Sequence, residues 1–64
     1  MSYSRLRDLI LADILAGVLR PGEKLKVSAL ARRYGSSTIP VREGLQQLQG
    51  EGVVVFEPNR GASV

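Results

Sequence analysis

The stretch LARRYGSSTIPVREGLQQL, residues 30–48, holds two helical patterns separated by a break. Val41, Leu45 and Leu48 recur at steps of four and three, which places them on one helical face. A shorter helix is expected over Ser28–Tyr34, with Gly35 where a left-handed residue past the helix end is wanted. Pro40 looks like a helix breaker inside the second pattern. With Ser37 as the N-cap, however, Pro40 is the third helical residue. An N–H there has no intrahelical partner, and the carbonyl its ring would strike belongs to Ser36, before the helix begins. A helix over about 37–51 follows, capped by Ser37 and closed by Gly52. Gly44 and Gly50 each weaken it by about 0.8–1 kcal/mol relative to alanine. Tertiary packing must therefore carry it, and Gly44 marks a close approach by another segment.

Two helices joined by so short a turn must cross at close range. Ala31 is small where the axes approach, Gly35 supplies a positive φ four residues later, and Val41 inserts a stiff side chain between the helices. This is the pattern of a helix-turn-helix.

Upstream, Ser4–Leu19 reads as a first helix with Ser4 as its N-cap. Leu6, Leu9, Ile10, Ile14 and Val18 form its apolar stripe, while Leu11 and Leu15 are expected to pack beneath a neighbouring loop. Pro21-Gly22 stops that helix, and Leu25 anchors a short extended piece before the next one. Downstream, residues 53–57 (VVVFE) form a β-branched strand, residues 58–61 (PNRG) a turn and residues 62–64 (ASV) the start of a return strand. The expected fold is mainly α with a small β-hairpin, a winged helix-turn-helix of three helices and a wing, filling residues 1–64 as one domain.

Composition narrows the function. Sixty-four residues with no cysteine allow neither a disulfide framework nor a thiolate metal site, and no run approaches a membrane span. No histidine is present and the six carboxylates are scattered, so an enzyme is not expected, nor a catalytic residue, metal site or cofactor in this domain. Nine Lys/Arg against six Asp/Glu give a net charge of +3, which permits a polyanionic partner without requiring one.

The surface of the third helix supplies the requirement. At 100° per residue, Ile39, Arg42, Glu43 and Gln46 fall on outer arcs, and Thr38 stands at the exposed N-terminal end. Arg42 carries a planar fork suited to a guanine edge or a phosphate, Gln46 can pair with an adenine edge, and Ile39 can meet a thymine methyl. Backbone N–H groups at the Ser37 end can receive a phosphate. Glu43 is read as structural, orienting Arg42 or bonding to the turn, since a carboxylate facing phosphates would be repelled. Arg32 and Arg33 are expected to face solvent. In the wing, Arg60 beside Gly61 suits a narrow minor groove. The DNA-binding set is thus Ser37, Thr38, Ile39, Arg42, Gln46, Arg60 and Gly61. The competing reading is a winged helix used for protein–protein interaction, with Ile39, Leu11 and Leu15 as its adhesive patch.

The segments ILAGVLRPGEKL, LARRYGSSTIPVREGLQQLQGEGVV and PNRGASV resemble the N-terminal winged-helix domain of GntR family bacterial transcription regulators, from about Leu6 to Val64. The resemblance is to the branch with an all-helical ligand domain. It implies a cytoplasmic, metabolite-responsive repressor or activator that reads double-stranded DNA at a palindromic operator and dimerises through a C-terminal domain beyond this chain. It also implies contacts from Ser37, Thr38, Ile39 and Arg42 and from the wing at Arg60 and Gly61. Two departures stand out: the family usually has Arg where this chain has Thr38, and Thr where it has Ile39. Gly44 replaces the usual Ala.

Overall fold

A computed structural model describes the chain over residues 2–57 and 61–64, with side chains from residue 5 onward. Three helices, α1 (Ser2–Leu15), α2 (Val27–Arg33) and α3 (Thr38–Gly50), pack beside a three-stranded antiparallel sheet. Its strands are β1 (Lys24–Leu25), β2 (Val55–Glu57) and β3 (Gly61–Ser63), with β3 in the centre. The architecture is the expected winged helix-turn-helix, with one addition. The extended piece around Leu25 is a strand, and it joins the hairpin on the far side of β3. Leu25, Ala62 and Phe56 stand opposite one another across the three strands and are all buried. Their outward neighbours Lys24, Ser63 and Val55 form the next row, as strand alternation requires.

The core lies where α1 crosses α3. Ile10, Val41, Leu45 and Leu48 are completely shielded from solvent, with Leu6, Leu30 and Val54 around them. Fully burying such a side chain contributes about 1.5–3 kcal/mol. Gly44 makes the crossing possible: a Cβ added there would lie 2.9 Å from the Arg7 backbone nitrogen and 3.2 Å from its Cα. The close approach inferred from the glycine is therefore contact with the backbone of α1. Gly44→Ala gains about 0.8–1 kcal/mol of helix propensity but drives a methyl into a rigid helix, a change that costs about 1–3 kcal/mol. A lower urea midpoint is the expected result; a higher one would mean that α1 slides freely on α3.

Several expectations for α1 need correction. The helix already includes Ser4, so Ser4 is not its N-cap. It ends at Leu15 rather than Leu19, and the terminator is not Pro21. The Gly17 N–H donates to the Ile14 carbonyl at 3.1 Å and the Val18 N–H to the Asp13 carbonyl at 2.9 Å, closing the helix four residues earlier. The turn there leaves Val18 exposed and buries Leu19 in its place. Leu9, at 38 % exposure, sits at the edge of the stripe. Leu11 is half-buried against the core, and Leu15, expected beneath a neighbouring loop, remains 79 % exposed.

The α2–α3 turn follows the sequence reading closely. Gly35 has φ +63°, the Ser36 N–H donates to the Ala31 carbonyl at 2.8 Å, and the Gly35 N–H donates to the Arg32 carbonyl at 3.3 Å. Ala31 and Val41 are both buried across that turn. Val27 opens α2 one residue before Ser28, with Lys26 at the cap position. Ser37 does occupy the N-cap of α3, at extended φ −81° and ψ 171°, which leaves Pro40 as the third helical residue. Its hydroxyl makes no capping bond, so the cap is positional only. The strand expected over 53–57 shortens to Val55–Glu57, because the Val53 N–H is taken by the Leu48 carbonyl in closing α3.

Candidate nucleic-acid interface

α3 is held by one face and open on the other. Val41, Gly44, Leu45 and Leu48 are buried, whereas Thr38, Ile39, Arg42, Glu43 and Gln46 are exposed. Ile39, Arg42, Glu43 and Gln46 follow at steps of three, one and three, so they share the outward arc. Ile39 is 67 % exposed with no neighbour to bury it. Ser37 is exposed at the head of the same helix. Five of the seven residues expected to meet DNA are thus brought to one continuous surface.

The wing gives a divided result. Arg60 lies outside the described residues. Gly61 opens β3 with φ +83°, and a Cβ added there would lie 2.8 Å from the Leu25 carbonyl oxygen. The requirement for glycine at 61 thus comes from the pairing of β3 with β1, and a closely approaching groove is not needed to explain it.

Charge pairing sorts the cations. The Arg7 guanidinium donates to both carboxylate oxygens of Glu51, with the Nε bond at 3.0 Å, and to Asp8 at 2.9 Å. These contacts raise the Arg7 pKa and lower that of Glu51. Glu51 is therefore committed to α1 and is not paired with Arg42. Nor does Glu43 orient Arg42: among the described residues neither is in an ion pair, and Glu43 makes no bond to the turn. Arg5, Arg32 and Arg42 are exposed cations without an ion pair among the described residues.

Arg5 adds a cation that no local sequence pattern marks. It lines an open groove with Ser36, Ser37, Ile39 and Glu43, so α1 brings a cation to the N-terminal edge of α3. Only the depth of the α1–α3 crossing at Gly44 places it there, and helical periodicity carries no trace of that.

Arg33 faces solvent as expected, but it is paired. Its Nε donates to Asp13 at 3.2 Å, and its guanidinium lies 5.7 Å from the centre of the Tyr34 ring. The Tyr34 hydroxyl donates to the same Asp13 oxygen at 2.6 Å. Asp13 is held below its usual carboxylate range, first by the Tyr34 hydroxyl and then by Arg33. Burial, then the bond to Asp13, pushes the Tyr34 hydroxyl up to about 12 from 10.0. The folded state thus prefers the neutral phenol. The stability this contributes is complete below pH 10.0 and is lost as pH rises toward about 12. Tyr34→Phe should flatten that alkaline limb of the urea midpoint; an unchanged limb would place the phenol in water.

Histidine- or cysteine-based chemistry has no material here, and no group of three or more metal-ligating side chains gathers among the described residues. No described helix is long and apolar enough to cross a membrane. The patch envisaged for protein–protein contact loses a member, since Leu11 packs against the core.

Against this geometry the family comparison is decisive: the model for "Bacterial regulatory proteins, gntR family" matches residues 2–64. The chain belongs to the GntR family. Its fold is that of the family's helix-turn-helix DNA-binding domain, and the relatives are transcriptional regulators rather than enzymes. It is 40 % identical over 52 residues to the HTH-type transcriptional repressor GlaR of Escherichia coli, covering 81 % of this chain and 24 % of that protein. It is 29 % identical over 62 residues to the uncharacterized HTH-type regulator YdhC of Bacillus subtilis, covering 97 % of this chain and 26 % of that one. This chain therefore spans about a quarter of the length of these curated relatives.

Solved structures agree. One, described by the statement that Lar controls the expression of the Listeria monocytogenes agr system and mediates virulence, superimposes with a TM-score of 0.87 at 34 % identity. The match covers 97 % of this chain and 29 % of that one. Another, of the AraR N-terminal domain in complex with mutant ORR3, gives 0.83 at 22 % identity, covering 100 % of this chain and 93 % of the other, a likeness of fold.

Proposed function

We propose that this GntR domain reads operator DNA by placing α3 in the major groove. Thr38, Ile39, Arg42 and Gln46 meet base edges, the Ser37 end meets phosphate, and the wing at Arg60 and Gly61 lies along the adjacent minor groove. The observation that carries this reading is the outward arc of α3, where Arg42 stands exposed and outside any ion pair among the described residues. Three of the six carboxylates, Asp8, Asp13 and Glu51, sit against Arg7 and Arg33 on other surfaces. None of these three is therefore available to neutralise Arg42.

The domain serves as the N-terminal part of a bacterial, cytoplasmic, metabolite-responsive regulator. A C-terminal, all-helical ligand domain dimerises it, and the two recognition helices meet a palindromic operator. Selection from a random duplex pool, using this domain joined to a dimerising coiled coil, tests the reading. Two inverted half-sites about 10–10.5 base pairs apart, or a multiple of that, are expected. An unrepeated or directly repeated consensus would overturn the two-fold arrangement. A pool left unenriched at low salt would overturn sequence-specific binding.

A further inference from the structure

Arg32 and Arg33 are adjacent on α2, yet the fold treats them differently. Arg32 is exposed and in no ion pair among the described residues. Arg33 is engaged two ways: its Nε reaches Asp13 at 3.2 Å and its guanidinium packs over the Tyr34 ring, whose hydroxyl bonds to the same Asp13 oxygen. An exposed ion pair alone restrains a side chain little. Here the carboxylate is itself fixed by a part-buried tyrosine, and the ring supports the cation from below. The location adds meaning. Tyr34 is the C-cap of α2, immediately before Gly35, and the turn from Gly35 to Ser37 sets where α3 begins. Asp13 belongs to the closing turn of α1, its carbonyl already accepting the Val18 and Leu19 N–H groups.

We infer that Asp13 is a positioning residue for DNA recognition: it ties the end of α2 to α1, so fixing the entry of α3, and it withholds Arg33 from the phosphate backbone. The inference rests on the DNA-binding reading above. The consequence is a division of labour between neighbours, in which Arg32 is available to phosphate and Arg33 is not. Freed from Asp13, Arg33 becomes an unspecific cation beside a turn that no longer holds α3 in one place. Affinity for arbitrary DNA then rises while discrimination falls.

The test uses the full-length regulator and two duplexes, the selected consensus and one of mixed sequence, each titrated across a salt series. Each phosphate contact contributes about 0.9 to the slope of log affinity against log salt. Arg33→Ala should leave the slope on the mixed duplex as it is in the parent protein. Asp13→Asn should steepen that slope by about 0.9, and Asp13→Asn with Arg33→Ala should restore it. Asp13→Asn should also lower the ratio of consensus to mixed-sequence affinity by about tenfold, a loss the double variant retains because the turn stays untied. Far-ultraviolet spectra verify that each variant is folded, and the Arg33→Ala arm stands by itself because Asp13 is intact in it. A flatter slope for Arg33→Ala would show that Arg33 touches phosphate and would overturn the inference, as would an unchanged slope for a folded Asp13→Asn. Failure of the parent protein to retain either duplex at low salt would instead overturn the DNA-binding reading.

Discussion

Leu45→Ala is expected to leave this domain largely unfolded at room temperature. Leu45 is completely buried on the inner face of α3, at the crossing with α1. Truncating a leucine in such a place costs about 2–5 kcal/mol, because transfer energy is lost and the cavity does not close. A single core in a chain this small rarely supplies more than about 3–5 kcal/mol in total. The two ranges overlap, so one substitution removes most of the margin. Far-ultraviolet circular dichroism during urea titration reads the result directly. A cooperative transition with its midpoint near that of the parent protein would mean that the core does not centre on this residue. Ile39→Ala makes the contrast: at 67 % exposure, its effect on stability should stay within about 0.5 kcal/mol. Two apolar residues six positions apart on one helix thus differ in purpose. Leu45 holds the helix down, and Ile39 stands open to solvent.

The features legible in the sequence were those whose causes are local. Ala31, Gly35 and Val41 announced the helix-turn-helix because a small residue, a positive φ and a stiff side chain are needed at fixed offsets. Pro40 was placed correctly at the start of α3 because the missing N–H is harmless only there. The outward arc of α3 followed from helical periodicity. The end of α1 is ambiguous in the sequence because two stop signals lie close together: Pro21 is the more conspicuous, but the turn at Gly17 comes first and satisfies the carbonyls of Asp13 and Ile14. β1 is legible as an extended piece and not as a strand, since its partner residues in β3 lie far along the chain, Leu25 opposite Ala62 and Lys24 opposite Ser63. Contacts of that range depend on how the helices dock.

Long-range polar contacts were hidden for the same reason. Nothing near Arg7 in the chain indicates Glu51, which packs against it only because α1 crosses α3 at Gly44. The acceptance of the Phe56 N–H by the Gln49 side chain is equally invisible, although it ties the recognition helix to the wing. Such contacts decide which charges remain available. Arg33 and Arg42 look alike as exposed helical arginines, and only the folded chain separates the one engaged with Asp13 from the one that is not.

Arg42→Ala should weaken binding to the selected consensus by about 1–3 kcal/mol if the guanidinium reads a base edge, or roughly 5- to 150-fold in affinity. Stability should barely change, since Arg42 is exposed and makes no ion pair among the described residues. Loss of affinity alone does not separate base reading from phosphate contact. Sequence dependence and charge do. A base-reading arginine leaves one position of the consensus relaxed when removed, whereas a phosphate contact weakens all duplexes alike and flattens the salt slope by about 0.9. Arg42→Lys sharpens the distinction, because lysine keeps the charge and loses the planar fork that pairs with guanine in two bonds. If Arg42 reads a base, the lysine variant keeps the salt slope of the parent protein and loses its preference at that position. Unaltered affinity for both variants across the salt series would remove Arg42 from the interface. With Thr38 uncharged at the head of the helix, Arg42 is the one cation on the outward arc of α3. The affinity and the sequence preference of this domain should therefore respond more sharply to changes here than at any other position on that arc.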